Sequence, residues 1–354
     1  MSFFVAASPF LLFSISRLIM KRSDQLLQNT RRPCSVTTFL FVAITFPFTL
    51  LNGCYSGDAP SQPDVLVWGR RGLDDGRFLK PRAITIDDQD RLYIVDMTSR
   101  IQVFDRDGSF IRSWRTPKCK QGKPCGLSIS HDGLLMVCDT HYFRVLFYTP
   151  EGEQVPDRTI GGTNGRGPGE FGFVTDVVQD SKGNYYVSEY GDYDRIQKFS
   201  PDGQYVYQWG QHGTEPGQFL RPQGLAMDDQ DQLWVADASN HRIQVFDVSG
   251  DEPVFVKSLG SNGSSPGQLS YPYQVDVRKD GAVTVSEFGN HRVQQLDRKD
   301  GSPVRSWGGP GRQPGELHQP WAFAIDSTGS VHVLDSYNHR IQRFEWDDSG
   351  MVKP

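Results

Sequence analysis

The chain has 354 residues, 37 basic against 42 acidic side chains, and 37% hydrophobic content. Its formal charge of −5 argues against a protein that grips nucleic acid through phosphates, because that mode needs a concentrated positive field. The length divides into an N-terminal segment and one large domain.

Residues 1–53 read as an export segment. Phe3 to Met20 is apolar but broken by Arg17, and Met20-Lys21-Arg22 makes a reasonable alternative start. Arg31-Arg32 leads into the apolar run Phe39 to Leu51, followed by Leu51-Asn52-Gly53-Cys54. This has the form of a secretory signal ending in a bacterial lipobox, with cleavage before Cys54 and lipid attached to its thiol. A run of 13 residues is too short for an ordinary membrane span. The competing reading is an uncleaved anchor with an incidental cysteine. Residues 54–63 carry Gly, Pro, Ser and Asp and read as a flexible tether. Removing residues 1–53 takes away five basic residues and one acidic residue, so the formal charge moves from −5 to −9. The implied address is the bacterial cell envelope, on its periplasmic or surface side.

From residue 64 onward the chain repeats. Six times an acid is followed four to six positions later by an arginine that opens a short apolar run: Asp96 and Arg100, Asp139 and Arg144, Glu189 and Arg195, Asp237 and Arg242, Glu287 and Arg292, Asp335 and Arg340. The arginines stand 44, 51, 47, 50 and 48 residues apart, the mark of a repeat architecture. In the fourth copy, Leu225–Asp228, Leu233–Ala236, Arg242–Phe246 and Val254–Leu259 read as four strands joined by polar turns. Each unit is therefore a four-stranded antiparallel meander, and such meanders arranged radially form a β-propeller. A large apolar residue ends the fourth strands (Trp114, Ile160, Trp209, Leu259, Trp307) and suits packing between blades.

The last repeat stops soon after Phe344 without a fourth strand. The run Val65-Leu66-Val67-Trp68-Gly69-Arg70-Arg71-Gly72 resembles Tyr205-Val206-Tyr207-Gln208-Trp209-Gly210-Gln211-His212-Gly213 and supplies the missing strand. The fold expected is all-β, a six-bladed propeller over residues 64–347 closed by its N-terminal strand, with a tail at 348–354.

Asn240-His241-Arg242, Asn290-His291-Arg292 and Asn338-His339-Arg340, with the openers Pro81-Arg82-Ala83, Pro222-Gln223-Gly224 and Pro320-Trp321-Ala322, resemble NHL repeats. The second and third blades depart most, with Val174 where a proline is expected. The resemblance implies the propeller fold but no single activity, since NHL-like propellers include RNA binders, protein-binding sensor domains and a zinc-dependent amidating lyase. In those lyases histidines follow the opening proline of three blades. Here the corresponding residues are Arg82, Cys125, Thr175, Gln223, Tyr273 and Trp321, so that metal site is not carried over. His241, His291 and His339 occupy equivalent turns of different blades and cannot share one ion, so they read as structural. The repeated acid–arginine pairs read as a blade clasp, because catalytic groups would break the symmetry. The Gly-rich joints, such as Gly161 to Gly169, lack a Gly-Lys-Ser/Thr ending and read as connectors.

Cys119, Cys125 and Cys138 all belong to blade two. A Cys119–Cys125 disulfide competes with Cys125–Cys138, and either leaves one thiol over. The remaining candidates are positions where the repeats disagree: Arg82, Gln223, Tyr273 and Trp321, with Arg221 and Lys80 just before the openers. Guanidinium, amide, phenol and indole around a channel mouth suit a polar or anionic ligand, or a peptide. The expected function is a monomeric, lipid-anchored binding or scaffold module that recognises a protein, peptide or small polar ligand of the cell envelope on its loop face, without cofactor, metal or catalytic residues. The alternative is a channel-site enzyme, lyase or lactonase-like, of the same fold.

Overall fold

A computed structural model describes residues 65–120, 123–278 and 281–346. The export segment, Cys54, the tether and the tail at 348–354 lie outside the described residues.

Six four-stranded antiparallel sheets form the blades. Blade one is β2 to β5 (Pro81–Ile86, Leu92–Asp96, Arg100–Phe104, Phe110–Arg115) and blade two is β6 to β9 (Gly126–Ile129, Leu135–Asp139, Arg144–Tyr148, Ile160–Gly161). Blade three is β10 to β13 (Phe173–Gln179, Tyr185–Tyr190, Arg195–Phe199, Tyr205–Trp209), and blade four is β14 to β17 (Pro222–Met227, Gln232–Asp237, Arg242–Asp247, Val254–Leu259). Blade five is β18 to β21 (Pro272–Val277, Ala282–Glu287, Arg292–Asp297, Pro303–Gly308). Blade six combines β22 to β24 (Phe323–Ile325, Val331–Asp335, Arg340–Phe344) with β1 (Leu66–Trp68) from the other end of the chain. The closing pair runs Leu66 opposite Arg343 to Trp68 opposite Ile341, as the missing fourth strand required.

Alternation along each strand sends apolar side chains into the layers between blades. The second and third strands are buried along nearly their whole length, because both of their faces meet a neighbouring blade. The fourth strands are half exposed, and their aromatic residue bridges outward: Trp114 packs on Tyr93 of its own blade and Tyr148 of the next, and Trp209 on Phe246. Trp68 does the same at the seam, 4.7 Å from Phe104 and 6.0 Å from Phe78 between ring centroids.

The first strands carry a local irregularity that matters for function. Register shifts fall between Pro81 and Ala83, Val174 and Asp176, Pro222 and Leu225, and Pro272 and Gln274. A bulge of this kind leaves an extra residue unpaired and re-aims its side chain. Arg82, Thr175, Gln223 and Tyr273 are those residues. Val174 breaks the proline rule at little structural cost: it has an N–H to give, and β10 begins one residue earlier, pairing Phe173 with Tyr190. The central channel between the first strands encloses about 360 Å³, with aliphatic walls from Ile84, Leu127, Val178, Leu225 and Val275 and polar points at Thr85, Ser128 and Gln274.

Candidate functional site

The acid–arginine pairs are clasps at the channel-mouth end of each blade. In blade four, Asp237 is fully buried. Its Oδ2 accepts from Asn240 Nδ2 (2.8 Å), Arg242 Nε (2.8 Å) and Gln244 Nε2 (3.1 Å), and its Oδ1 from the Leu220 N–H (2.8 Å). The Arg242 guanidinium donates onward to the Thr214, Glu215 and Gln218 carbonyls of the Gly-rich joint. Glu287 with Arg292 and Asp335 with Arg340 repeat the pattern. Burial pushes the carboxyls of Asp237 and Glu287 up, against the pull of hydrogen-bond donors that include the paired arginine. The device locks strand two, strand three and the joint together, so it repeats for structural reasons.

The Asn-His turns perform a second structural task. Ala238–Asn240 and Ser336–Asn338 form single 3-10 turns, after which His241 and His339 take left-handed backbone (φ 55° and 59°). His291 does likewise at 56°. Each histidine Nδ1 then accepts a backbone N–H from the next blade: His241 from Tyr271 (3.1 Å), His291 from Gln319 (3.0 Å) and His339 from Lys80 (2.9 Å). Nδ1 must be unprotonated to accept, so the proton sits on Nε2. The three residues held, Tyr271, Gln319 and Lys80, are themselves left-handed at φ 48° to 51°, immediately before the opener proline. A non-glycine residue pays of the order of 1 kcal/mol or more for that conformation, and the histidine fixes it. Between blades three and four Asp194 replaces the histidine, its Oδ1 accepting the Arg221 N–H at 3.0 Å. Arg221 is left-handed too, at φ 57°.

These strained, stapled openers present their side chains at the mouth. The Arg82 guanidinium lies over the Trp321 ring, 4.9 Å from its centroid, and Arg82 Nη1 donates to Cys125 Sγ at 3.4 Å. Tyr273 stacks on Phe288 at 4.7 Å and meets Trp321 edge-on at 4.9 Å. Arg221 lies between Tyr190 (4.9 Å) and Tyr273 (5.7 Å). Lys80 Nζ sits 4.1 Å from the Tyr337 ring, which in turn touches Phe288. Three cations therefore rest on aromatic faces, and none of the three has a carboxylate partner among the described residues. Arg82 Nε and Arg221 Nε are buried without any hydrogen-bond partner. Burial raises the Tyr190 and Tyr273 phenols, opposed first by the Arg221 guanidinium, so both remain hydroxyl donors at neutral pH.

Four of the five positions expected at the mouth, Arg82, Arg221, Tyr273 and Trp321, come together in this cluster. Gln223 is buried, and its Nε2 reaches only the Pro222 carbonyl at 3.4 Å. Tyr190, Phe288 and Tyr337 complete the cluster and were not singled out from sequence. They stand one or two residues after the clasp acid, a second column in which the blades also differ. Cys119, Cys125 and Cys138 are free thiols, exposed, half-buried and buried in turn, so neither pairing expected for blade two is formed.

The positions where zinc-dependent amidating lyases place histidine do not fit that ion. Cys125 is the one thiolate or imidazole candidate among them, and a guanidinium already occupies its sulfur. No group of three His, Cys, Asp or Glu side chains placed to hold a metal occurs among the described residues.

Six radial four-stranded blades with a stapled loop face define a closed β-propeller whose channel mouth is its most differentiated surface. The NHL repeat model matches residues 219–246 and 317–344, so blades four and six of this six-bladed propeller carry NHL repeats. It is 32% identical over 188 residues to peptidyl-glycine alpha-amidating monooxygenase A of Xenopus laevis, an alignment covering 51% of this chain and 19% of that protein. The chain thus spans about a fifth of the length of the amidating monooxygenases of Xenopus laevis and Rattus norvegicus that it matches. Among solved structures, virginiamycin B lyase from Staphylococcus aureus superimposes with a TM-score of 0.55 at 13% identity, over 81% of this chain and 100% of that one. A gluconolactonase from Xanthomonas campestris gives 0.57 at 13% identity, over 76% and 88%. At such identities the likeness concerns the fold.

Proposed function

We propose that this protein is a ligand-binding propeller that takes a small anionic molecule, or the anionic end of a peptide, at its channel mouth. The observation that carries the reading is the pair Arg82 and Arg221, two partly buried guanidiniums without carboxylate partners, their Nε atoms unsatisfied. A buried polar group left unpaired costs about 1–3 kcal/mol, more when charged, and an incoming carboxylate or phosphate removes that cost. Tyr273, Phe288 and Trp321 add a flat apolar wall, so the preferred ligand joins an anion to a planar or hydrophobic body. The mechanism is recognition on a rigid frame: clasps and staples hold the mouth before the ligand arrives, which lowers the ordering cost of binding.

A thermal-shift screen of small carboxylates and phosphates against neutral analogues tests the reading. Anionic aromatic compounds should raise Tm, and the double variant Arg82→Gln/Arg221→Gln should weaken the best of them at least tenfold. Equal shifts from neutral analogues, or binding untouched in the double variant, would sink it.

The export pattern at Arg31-Arg32 to Cys54 supports a lipid-anchored place in a bacterial envelope for this module, with the tether giving the propeller reach. In a bacterial host, a labelled fatty acid should enter the full chain and be lost in Cys54→Ser; unchanged labelling of that variant would remove the anchor from the account. A second reading is favoured by the Arg82–Cys125 contact beside the phenols of Tyr190 and Tyr273: a channel-site lyase or lactonase. Under it, a bound anionic hit would be turned over, with product detectable by mass spectrometry.

A further inference from the structure

The ring closes where the last Gly-rich joint meets the first, and there a cavity of about 350 Å³ opens beside the mouth. It is lined by Arg71, Arg312, Tyr337, Asn338, His339 and Arg340, with no acidic side chain in its wall. We infer that this seam cavity is a binding site for a tetrahedral oxyanion, a phosphate or sulfate group free or esterified to a larger molecule.

Three features of the residues support this. Arg71 and Arg312 have no carboxylate partner among the described residues and stand on the two joints that only the closing strand brings together. Arg340 differs from its equivalents in the two preceding blades. In blades four and five the clasp arginine donates Nη1 to a joint carbonyl, Arg242 to Thr214 and Arg292 to Ser264. Arg340 spends Nε on Asp335 and Nη2 on the Gln313 and Glu316 carbonyls, and its Nη1 makes no hydrogen bond among the described residues. The residue that would have offered the corresponding carbonyl is Arg312, itself a lining cation. One donor is thus freed in the blade where two further guanidiniums gather.

His339 supplies the third feature. Its Nδ1 is taken by the Lys80 N–H, which leaves Nε2–H as its donor. Three guanidiniums and one imidazole N–H offer more donors, from more directions, than a planar carboxylate can accept. A tetrahedral group with three or more terminal oxygens uses them. The cavity is concave, which suits a discrete group, and Tyr337, whose ring carries Lys80 Nζ, forms the wall it shares with the mouth.

Titration of the folded propeller with inorganic phosphate and with sulfate, followed by heteronuclear NMR at constant ionic strength, tests the site. Shifts should saturate for residues around Arg71, Arg312 and Arg340, with chloride producing none. Arg71→Gln/Arg312→Gln should weaken binding at least tenfold while leaving the unfolding midpoint in urea unchanged, since neither side chain holds the fold. Arg82→Gln/Arg221→Gln should leave it intact, which separates this site from the mouth. Shifts that follow the mouth variant instead, or that chloride reproduces, would overturn the assignment.

Discussion

Cutting the chain after Gly69, so that β1 is lost, should abolish cooperative unfolding or lower Tm by 10 °C or more relative to a chain that begins at Ala59. The reason lies in what three residues do. Leu66 to Trp68 complete the hydrogen-bond ladder of blade six along Ile341 to Arg343, and Trp68 covers Phe78 and Phe104 of blade one. Without them β24 becomes a bare edge and the interface between the first and last blades loses its aromatic filler. Removing a large packed aromatic alone costs about 3–5 kcal/mol. In a domain of this size each kcal/mol moves Tm by about 2–4 °C. Trp68→Ala in the otherwise intact chain should therefore reproduce much of the loss. Gel filtration gives a second readout, because an exposed β24 invites pairing with another copy. A shortened chain that melts like the parent as a monomer would show that the seam does not hold the ring.

Glu287→Ala should cost about 3–5 kcal/mol in urea unfolding, the scale for removing one partner of a buried ion pair. The carboxylate is fully buried and serves four donors at once: Arg292 Nε, Asn290 Nδ2, Gln294 Nε2 and the Ser270 N–H. Alanine leaves all four facing an empty space, including a guanidinium whose other nitrogens are tied to the joint carbonyls of Ser264, Ser265 and Gln268. Glu287→Gln keeps one acceptor oxygen of the same reach and should cost clearly less. The order matters more than the size. If the two variants were equally stable, or alanine lost under 1 kcal/mol, the clasp would be a surface ornament rather than the tie between strands and joint.

The fold was legible because the period and the closing strand are both written in local residue order. Turn residues, the Arg-Ile-Gln runs and the likeness of Val65–Gly69 to Val206–Gly210 needed no three-dimensional information. The clasp was legible as a pair but not as a hub, since the joint carbonyls it binds lie 24 to 28 residues upstream. The histidines are legible in the sequence as turn residues, but their task is not. His339 holds a residue 259 positions away, and nothing in either segment announces the other. At the mouth, comparing opener positions across blades found Arg82, Tyr273 and Trp321 because a repeat makes exceptions visible. Tyr190, Phe288 and Tyr337 escaped the same comparison because they follow the clasp acid, where every difference was absorbed into the turn. Gln223 was an exception of the same kind, but burial turned its amide toward its own backbone.

The position of a bound anionic ligand decides the function. A crystal structure of the propeller with the strongest anionic compound from the screen measures this directly. The anion should lie between Arg82 and Arg221, in contact with their Nε atoms, and its flat part should lie against Tyr273 and Trp321. Density for that compound on the outer strands or at the far end of the channel, with the two guanidiniums unchanged, would contradict it.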